Sequence, residues 1–253
     1  CCGGAVTPPV TPPVTPPVTP PPVTPPPVTP PVTPPVTPPV TPPVTPPVTP
    51  PVTPPVYSFS TTTYGVKCIS GNTFVRLAPG VGTEFTDPVT GKVTIVDENN
   101  IVLAKQAKDI AIGDEVMTAQ YAEIDQSAPD YEVFAWSSDS LTFTENSTTT
   151  IVDIEESTKI QTIYFNNDQS SQFTLEHPIL VNKKENGIDN WKFAMVAELE
   201  VGDIIVKYDP STGLYNNTEL TSIDLTSNTE PVYTFSAEPG DIIIAGEIIT
   251  HNK

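Results

Sequence analysis

Residues 107–117, AlaLysAspIleAlaIleGlyAspGluValMet, recur in pattern at 196–206, ValAlaGluLeuGluValGlyAspIleIleVal. Ile110 aligns with Leu199, Ile112 with Val201, Gly113 and Asp114 with Gly202 and Asp203, and Val116 with Ile205. A second echo follows each copy: Ile154 and Glu155 correspond to Ile223 and Asp224, and Ile163 and Tyr164 to Val232 and Tyr233. The first echo is offset by 89 residues and the second by 69, so the first half holds an insertion of about twenty residues, assigned to 119–150. Two copies of one pattern predict two halves related by a pseudo-twofold axis. Each half brings an element to a shared centre, where a site can draw on distant parts of the chain.

The rest of the chain sets the limits of that domain. Of the 33 prolines, 26 lie in residues 1–56, which contain no Asp, Glu, Lys or Arg. From Val6 the unit ValThrProPro repeats, with an extra Pro at Pro22 and Pro27. Proline fixes φ and extends the residue before it, so this stretch is expected to be a polyproline II rod without a core, reaching on the order of 150 Å. A three-residue helical turn against a four-residue repeat spirals the threonines round the rod, which suits a spacer better than a recognition face. The formal charge of −19 therefore belongs wholly to residues 57–253. An acidic surface of this kind argues against nucleic acid and anionic membranes as partners. No apolar run approaches the length of a spanning helix, so membrane insertion is not expected. The chain opens on Cys1 without an initiating Met, as a processed or excised chain would.

Short β-rich segments fill the remainder, clearest at 93–96, 101–103, 151–154, 160–165 and 179–181, with helical periodicity nearly absent. An alternating Ser, Thr and aromatic run from Tyr57 is expected to lead as a strand into the domain near Cys68. Adjacent cysteines such as Cys1 and Cys2 rarely bridge each other, and Cys68 stands alone, so no disulfide framework is expected. The fold class is all-β.

At the other end, two apolar runs flank Gly246 and predict a tight hairpin that carries His251 and Asn252 on a rigid element. An Asn side-chain amide can attack its own backbone carbonyl, closing a succinimide and expelling the next residue's amine, and an adjacent His can protonate that amine. Rigid placement and donors on the carbonyl supply what solution lacks.

CysIleSerGlyAsnThr at 68–73, ThrLeuGluHis at 174–177 and the segment 232–252 ending in HisAsn resemble, in order, the first, internal and terminal motifs of inteins and other Hint domains. The resemblance covers about 68–252 and leaves no room for a homing endonuclease. It implies a β-horseshoe with a pseudo-dyad at 68–252, to which composition adds a stalk at 1–56 and a linker and flanking strand at 57–67, with Lys253 opening the C-terminal flank. It also implies an N-to-S acyl shift of Lys67 onto Cys68, with Thr174 orienting the scissile peptide and His177 protonating the departing amine. His251 and Asn252 would then cut before Lys253. No cofactor or metal enters that chemistry, and its partners are the chain's own flanking polypeptides. All five of Cys68, Thr174, His177, His251 and Asn252 are expected to converge in one cleft.

Departures from the family's pattern select among its reactions. Splicing needs Cys, Ser or Thr after the terminal Asn, and Lys253 is no acyl acceptor. Where many inteins have a His before the last Asn and an Asp at the start of the terminal motif, this chain has Asp241 and Thr234. Asp241 can accept or relay protons. The expectation is autocatalytic cleavage without ligation, in a single turnover. The alternative is a stalked surface or virion structural protein, binding other structural proteins through its stalk, with an inactive Hint domain. The virion or cell-surface setting rests on analogy alone. A sterol-transferring Hedgehog-type module is disfavoured because no sterol-binding region follows HisAsn.

Overall fold

A computed structural model describes residues 67–159, 161–226 and 229–252. The proline-rich stretch, Cys1, Cys2, the expected strand from Tyr57, Ile160 and Lys253 lie outside the described residues. The strands are β1 (Ile69–Ser70), β2 (Phe74–Arg76), β3 (Thr83–Thr86), β4 (Val93–Val96), β5 (Val102–Gln106), β6 (Glu115–Tyr121), β7 (Phe143–Lys159), β8 (Ile163–Phe165) and β9 (Asp168–Phe173). They continue as β10 (Pro178–Asn182), β11 (Trp191–Met195), β12 (Ile204–Asp209), β13 (Leu214–Glu219), β14 (Ile223–Leu225), β15 (Glu230–Glu238), β16 (Ile242–Ala245) and β17 (Ile248–His251). One α-helix, α1 (Asp130–Ala135), is present among the described residues. The expected segments at 93–96 and 179–181 fall in β4 and β10, 151–154 falls in β7, and 163–165 forms β8.

The echoed segments build the same device twice. Each begins with a 3₁₀ turn, Ala107–Asp109 and Val196–Glu198, whose first residue is buried. Ile110 and Leu199 are both 7% exposed, while Ile112 at 66% and Val201 at 61% point outward. The turn after them needs a left-handed residue, and Gly113 (φ 90°) and Gly202 (φ 100°) supply it. Gly113 N donates to the Ile151 carbonyl and Ile151 N returns a bond to Asp114; Gly202 and Leu220, with Leu220 and Asp203, repeat this exchange, all at 2.8–2.9 Å. Each Asp also accepts a backbone N–H three residues back and pairs with a lysine, Lys105 or Lys183. The lysines come from different places, β5 and the turn after β10, so the two copies present one charge arrangement built from non-equivalent positions.

The second echo shows the pseudo-dyad in its strand exchange. In sequence β7 and β8 form one copy and β14 and β15 the other, yet β7 pairs with β15 and β14 with β8. Each copy's first strand thus joins the other copy's second, as a twofold relation requires. The resulting sheet runs β14-β8-β9-β1-β15-β7-β6. The other sheet runs β11-β10-β12-β17-β16-β2-β5-β4-β3, with β13 on β12. Ile69, Ile151, Phe173, Ile179, Phe235 and Ile243, all fully buried, belong to the larger of two apolar clusters that fill the interior. A smaller cluster gathers Met117, Trp191, Tyr208 and Ile244.

The hairpin around Gly246 forms as its sequence predicts. β16 and β17 pair from Ile242 with His251 to Ala245 with Ile248. Gly246 (φ 56°) and Glu247 (φ 62°) are both left-handed, the geometry of a two-residue type I′ turn. Arg76 pairs with Glu247 and fixes the turn against β2. The insertion assigned to 119–150 is the segment 122–142 between β6 and β7, where β12 and β13 are joined by only 210–213. It contains α1, which the near absence of helical periodicity did not announce.

Candidate functional site

Register fixes the N-terminal half of the site. Ile69 of β1 lies opposite Phe173 of β9 on one side and Tyr233 of β15 on the other. One residue back, the antiparallel ladder sets Cys68 opposite Thr174 and Thr234. Cys68 N donates to Thr174 Oγ1 at 3.0 Å, and the Cys68 carbonyl accepts the Thr174 N–H at 3.0 Å. The Thr234 hydroxyl donates to the Lys67 carbonyl at 2.7 Å, and Cys68 Sγ lies 3.1 Å from the same oxygen. That hydroxyl's single proton is engaged by the carbonyl, so the thiol is the donor in the sulfur contact. The Lys67–Cys68 peptide is therefore held at its N–H by one threonine and at its C=O by another. Cys68 is fully buried, and burial pushes its thiol pKa up, against a weaker opposing influence of the Thr234 contact. Cys68 rests as a thiol.

Register fixes the C-terminal half as well. Ile179 of β10 pairs with Thr250 of β17, which brings the start of β10, just after His177, to the end of β17, just before Asn252. Ile242 pairs with His251, which sets Asp241 beside Asn252, and Asn252 N donates to the Asp241 carbonyl at 2.9 Å. Asp241 Oδ1 accepts the Ala237 N–H at 2.6 Å, tying the last hairpin to the end of β15. Asn252 is fully buried; its Nδ2 donates to Thr250 Oγ1 at 3.4 Å and its Oδ1 has no partner among the described residues.

The two halves meet at the histidines. His177 follows Thr174 in a turn closed by its own N–H on the Thr174 carbonyl at 3.1 Å, and its ring stacks on Phe173 at 5.1 Å. It is fully buried, and neither ring nitrogen has a hydrogen bond of good geometry among the described residues. Burial, with the neighbouring His251, pushes its pKa down to about 3, while the Lys67 backbone pulls slightly the other way. The imidazole is neutral at rest. His251, 2% exposed, packs against Phe134 of α1 at 4.8 Å and Phe193 of β11 at 5.7 Å, with Nε2 3.8 Å from Asp130 Oδ1.

Cys68, Thr174, His177, Asp241, His251 and Asn252 are thus drawn to one junction between the two sheets. Three further residues belong to the same junction. Thr234 stood in the sequence as a departure from a family pattern, and its place opposite Cys68 follows only once β1 and β15 are in register. Asp130 and Phe134 lie on α1, whose sequence signal was the Pro129-Asp130 step, a proline followed by an acidic first helical residue. Asp130, Asp241 and His251 each offer a ligand atom within 4.8 Å of the others, a grouping among the described residues able to hold a cation. They border one open cavity with Gln126, Pro129, Glu238 and Gly240.

No protein-family model matches the sequence, and no curated protein matches it either. Among solved structures the chain is similar to the solution structure of a bacterial intein-like domain from Clostridium thermocellum, at 17% identity over 74% of this chain and 100% of that one, TM-score 0.43. It is similar to the TvoVMA intein at 17% identity, over 74% of this chain and 98% of that one, TM-score 0.44. A DnaB intein from Synechocystis sp. PCC 6803 is 16% identical over 74% of this chain and 99% of that one, TM-score 0.43.

Proposed function

We propose that residues 68–252 form a self-processing domain that cleaves its own chain after Lys67 and after Asn252 without joining the ends. The observation that carries this reading is the grip on the Lys67–Cys68 peptide, with Thr234 on the carbonyl oxygen at 2.7 Å and Thr174 on the amide nitrogen at 3.0 Å. In a protein that merely folds, nothing requires the peptide before a buried cysteine to be polarised at both atoms.

Sγ adds to the Lys67 carbonyl carbon, and the oxygen gains negative charge against the Thr234 hydroxyl. The thiol proton passes to the Cys68 nitrogen, with neutral His177 as the relay beside the Lys67 backbone. The C–N bond then breaks, leaving residues 1–67 as a thioester on Cys68 and a free amine at Cys68. Water or an external thiol releases them.

At the other end, Asn252 Nδ2 attacks the Asn252 carbonyl carbon and gives up one proton to His251, the bond to Lys253 N breaks, and His251 passes that proton to the departing amine. Asp241 holds the Asn252 backbone through its carbonyl. Lys253 cannot accept the acyl group of residues 1–67, so the ends part.

Extension of the chain beyond Lys253 by a tag tests the C-terminal step. Intact mass should show the tag lost over time from the wild type, leaving a succinimide or its hydrolysis product, and retained in Asn252→Ala. A folded wild type that keeps its tag indefinitely contradicts this step.

A further inference from the structure

Lys67 is the residue that the proposed N-terminal cleavage would release, and its side chain has a specific seat. The ammonium lies 4.0 Å from the centre of the Phe134 ring. Desolvation lowers its pKa overall, and the electrostatic pull of Asp130 and Asp241 opposes that fall. Phe134 and Asp130 stand four residues apart on α1, the spacing that puts both side chains on one face of a helix. Asp241 arrives from the loop before β16, and its carboxylate lies within 4.8 Å of those of Asp130 and His251's ring nitrogen. A π-face with two carboxylates is the chemistry that receives a long cationic side chain.

From this geometry we infer that α1 and Asp241 form a binding pocket for a cationic residue immediately before Cys68, so that the domain selects Lys or Arg at the position it cleaves. This rests on the self-processing reading and adds its specificity. The α1 wall of the pocket belongs to the insertion 122–142, which the second half of the domain lacks. Seating the side chain fixes the Lys67 backbone, and so its carbonyl, against the Thr234 hydroxyl. A small or acidic residue at 67 would leave the carbonyl less well aligned with that donor, and alignment of reacting groups is a large part of such rates.

The test measures the rate of dithiothreitol-induced cleavage before Cys68 in the full chain. Lys67→Arg should stay within about threefold of wild type, Lys67→Met should slow by about tenfold, and Lys67→Glu by more. Adding Asp130→Lys to Lys67→Glu should restore much of the loss, a rescue that a misfolded variant cannot show. Equal rates for all four residues at 67 overturn the pocket.

A second measurement stands apart from cleavage. In a Cys68→Ala background, the effect of Lys67→Met on the denaturant midpoint should vanish once Asp130→Asn and Phe134→Leu are also present. Additive effects overturn the pocket. If the wild type shows no thiol cleavage at all, the self-processing reading falls, and this cycle alone upholds or overturns the binding site.

Discussion

The Thr234 hydroxyl donates to the Lys67 carbonyl oxygen at 2.7 Å while standing 3.1 Å from Cys68 Sγ, so one side chain contacts both the carbonyl before Cys68 and the Cys68 thiol. Removing a donor of this kind from an acyl-transfer site slows reaction by about 10²–10³. Thr234→Val keeps the shape of β15 and should reduce thiol-induced cleavage before Cys68 to that extent. Thr234→Ser should retain most of the rate. The comparison of the two by time-resolved intact mass separates hydroxyl chemistry from packing.

Thr174 holds the other end of the bond. Its Oγ1 accepts from Cys68 N at 3.0 Å, and its backbone N–H binds the Cys68 carbonyl whatever its side chain. Thr174→Val should therefore preserve the ladder between β1 and β9. It leaves the buried Cys68 N–H without its acceptor, which costs roughly 1–3 kcal/mol. Cleavage before Cys68 should slow, with a measurable fall in the urea midpoint.

Much of this arrangement was legible from local pattern. Gly246 between two apolar runs announced the hairpin, and the repeated GlyAsp units announced the pseudo-dyad, because turn chemistry and burial period are written residue by residue. The role of Thr234 was not, since its place beside Cys68 arises from the register of strands more than 160 residues apart. Helix α1 is too short for periodicity to show, and Asp130 and Phe134 gain meaning only where the insertion folds back on His251.

Gly246 tests the hairpin as the support of the C-terminal site. A Cβ there would sit 2.3 Å from Ser171 Oγ and 2.9 Å from Ser171 Cα, at a φ of 56° that side chains rarely adopt. Gly246→Ala should destabilise the domain by more than about 1 kcal/mol. Thermal unfolding followed by circular dichroism measures the loss, and tag release after Asn252 should fall with it.

His177 gives the domain a pH signature. Its pKa in the fold, about 3, lies below its ordinary value of 6.5, so the folded state resists protonation that the unfolded chain accepts. The stability this represents is fully present above about pH 6.5 and is lost as pH falls toward 3. The comparison is with His177→Gln, which keeps every other ionisable group and so isolates the imidazole. Between pH 6.5 and 4.5 the wild type should lose denaturant stability more steeply than the variant; parallel curves contradict the buried neutral imidazole.

The N-terminal cleavage proposed above requires that Cys68 take the acyl group of Lys67. Folded protein incubated with dithiothreitol and followed by intact mass tests it directly. Two products split between Lys67 and Cys68 should grow with thiol concentration, and neither should form in Cys68→Ala. A wild-type chain that stays whole while remaining folded, or a Cys68→Ala chain that is cut at the same bond, would contradict it.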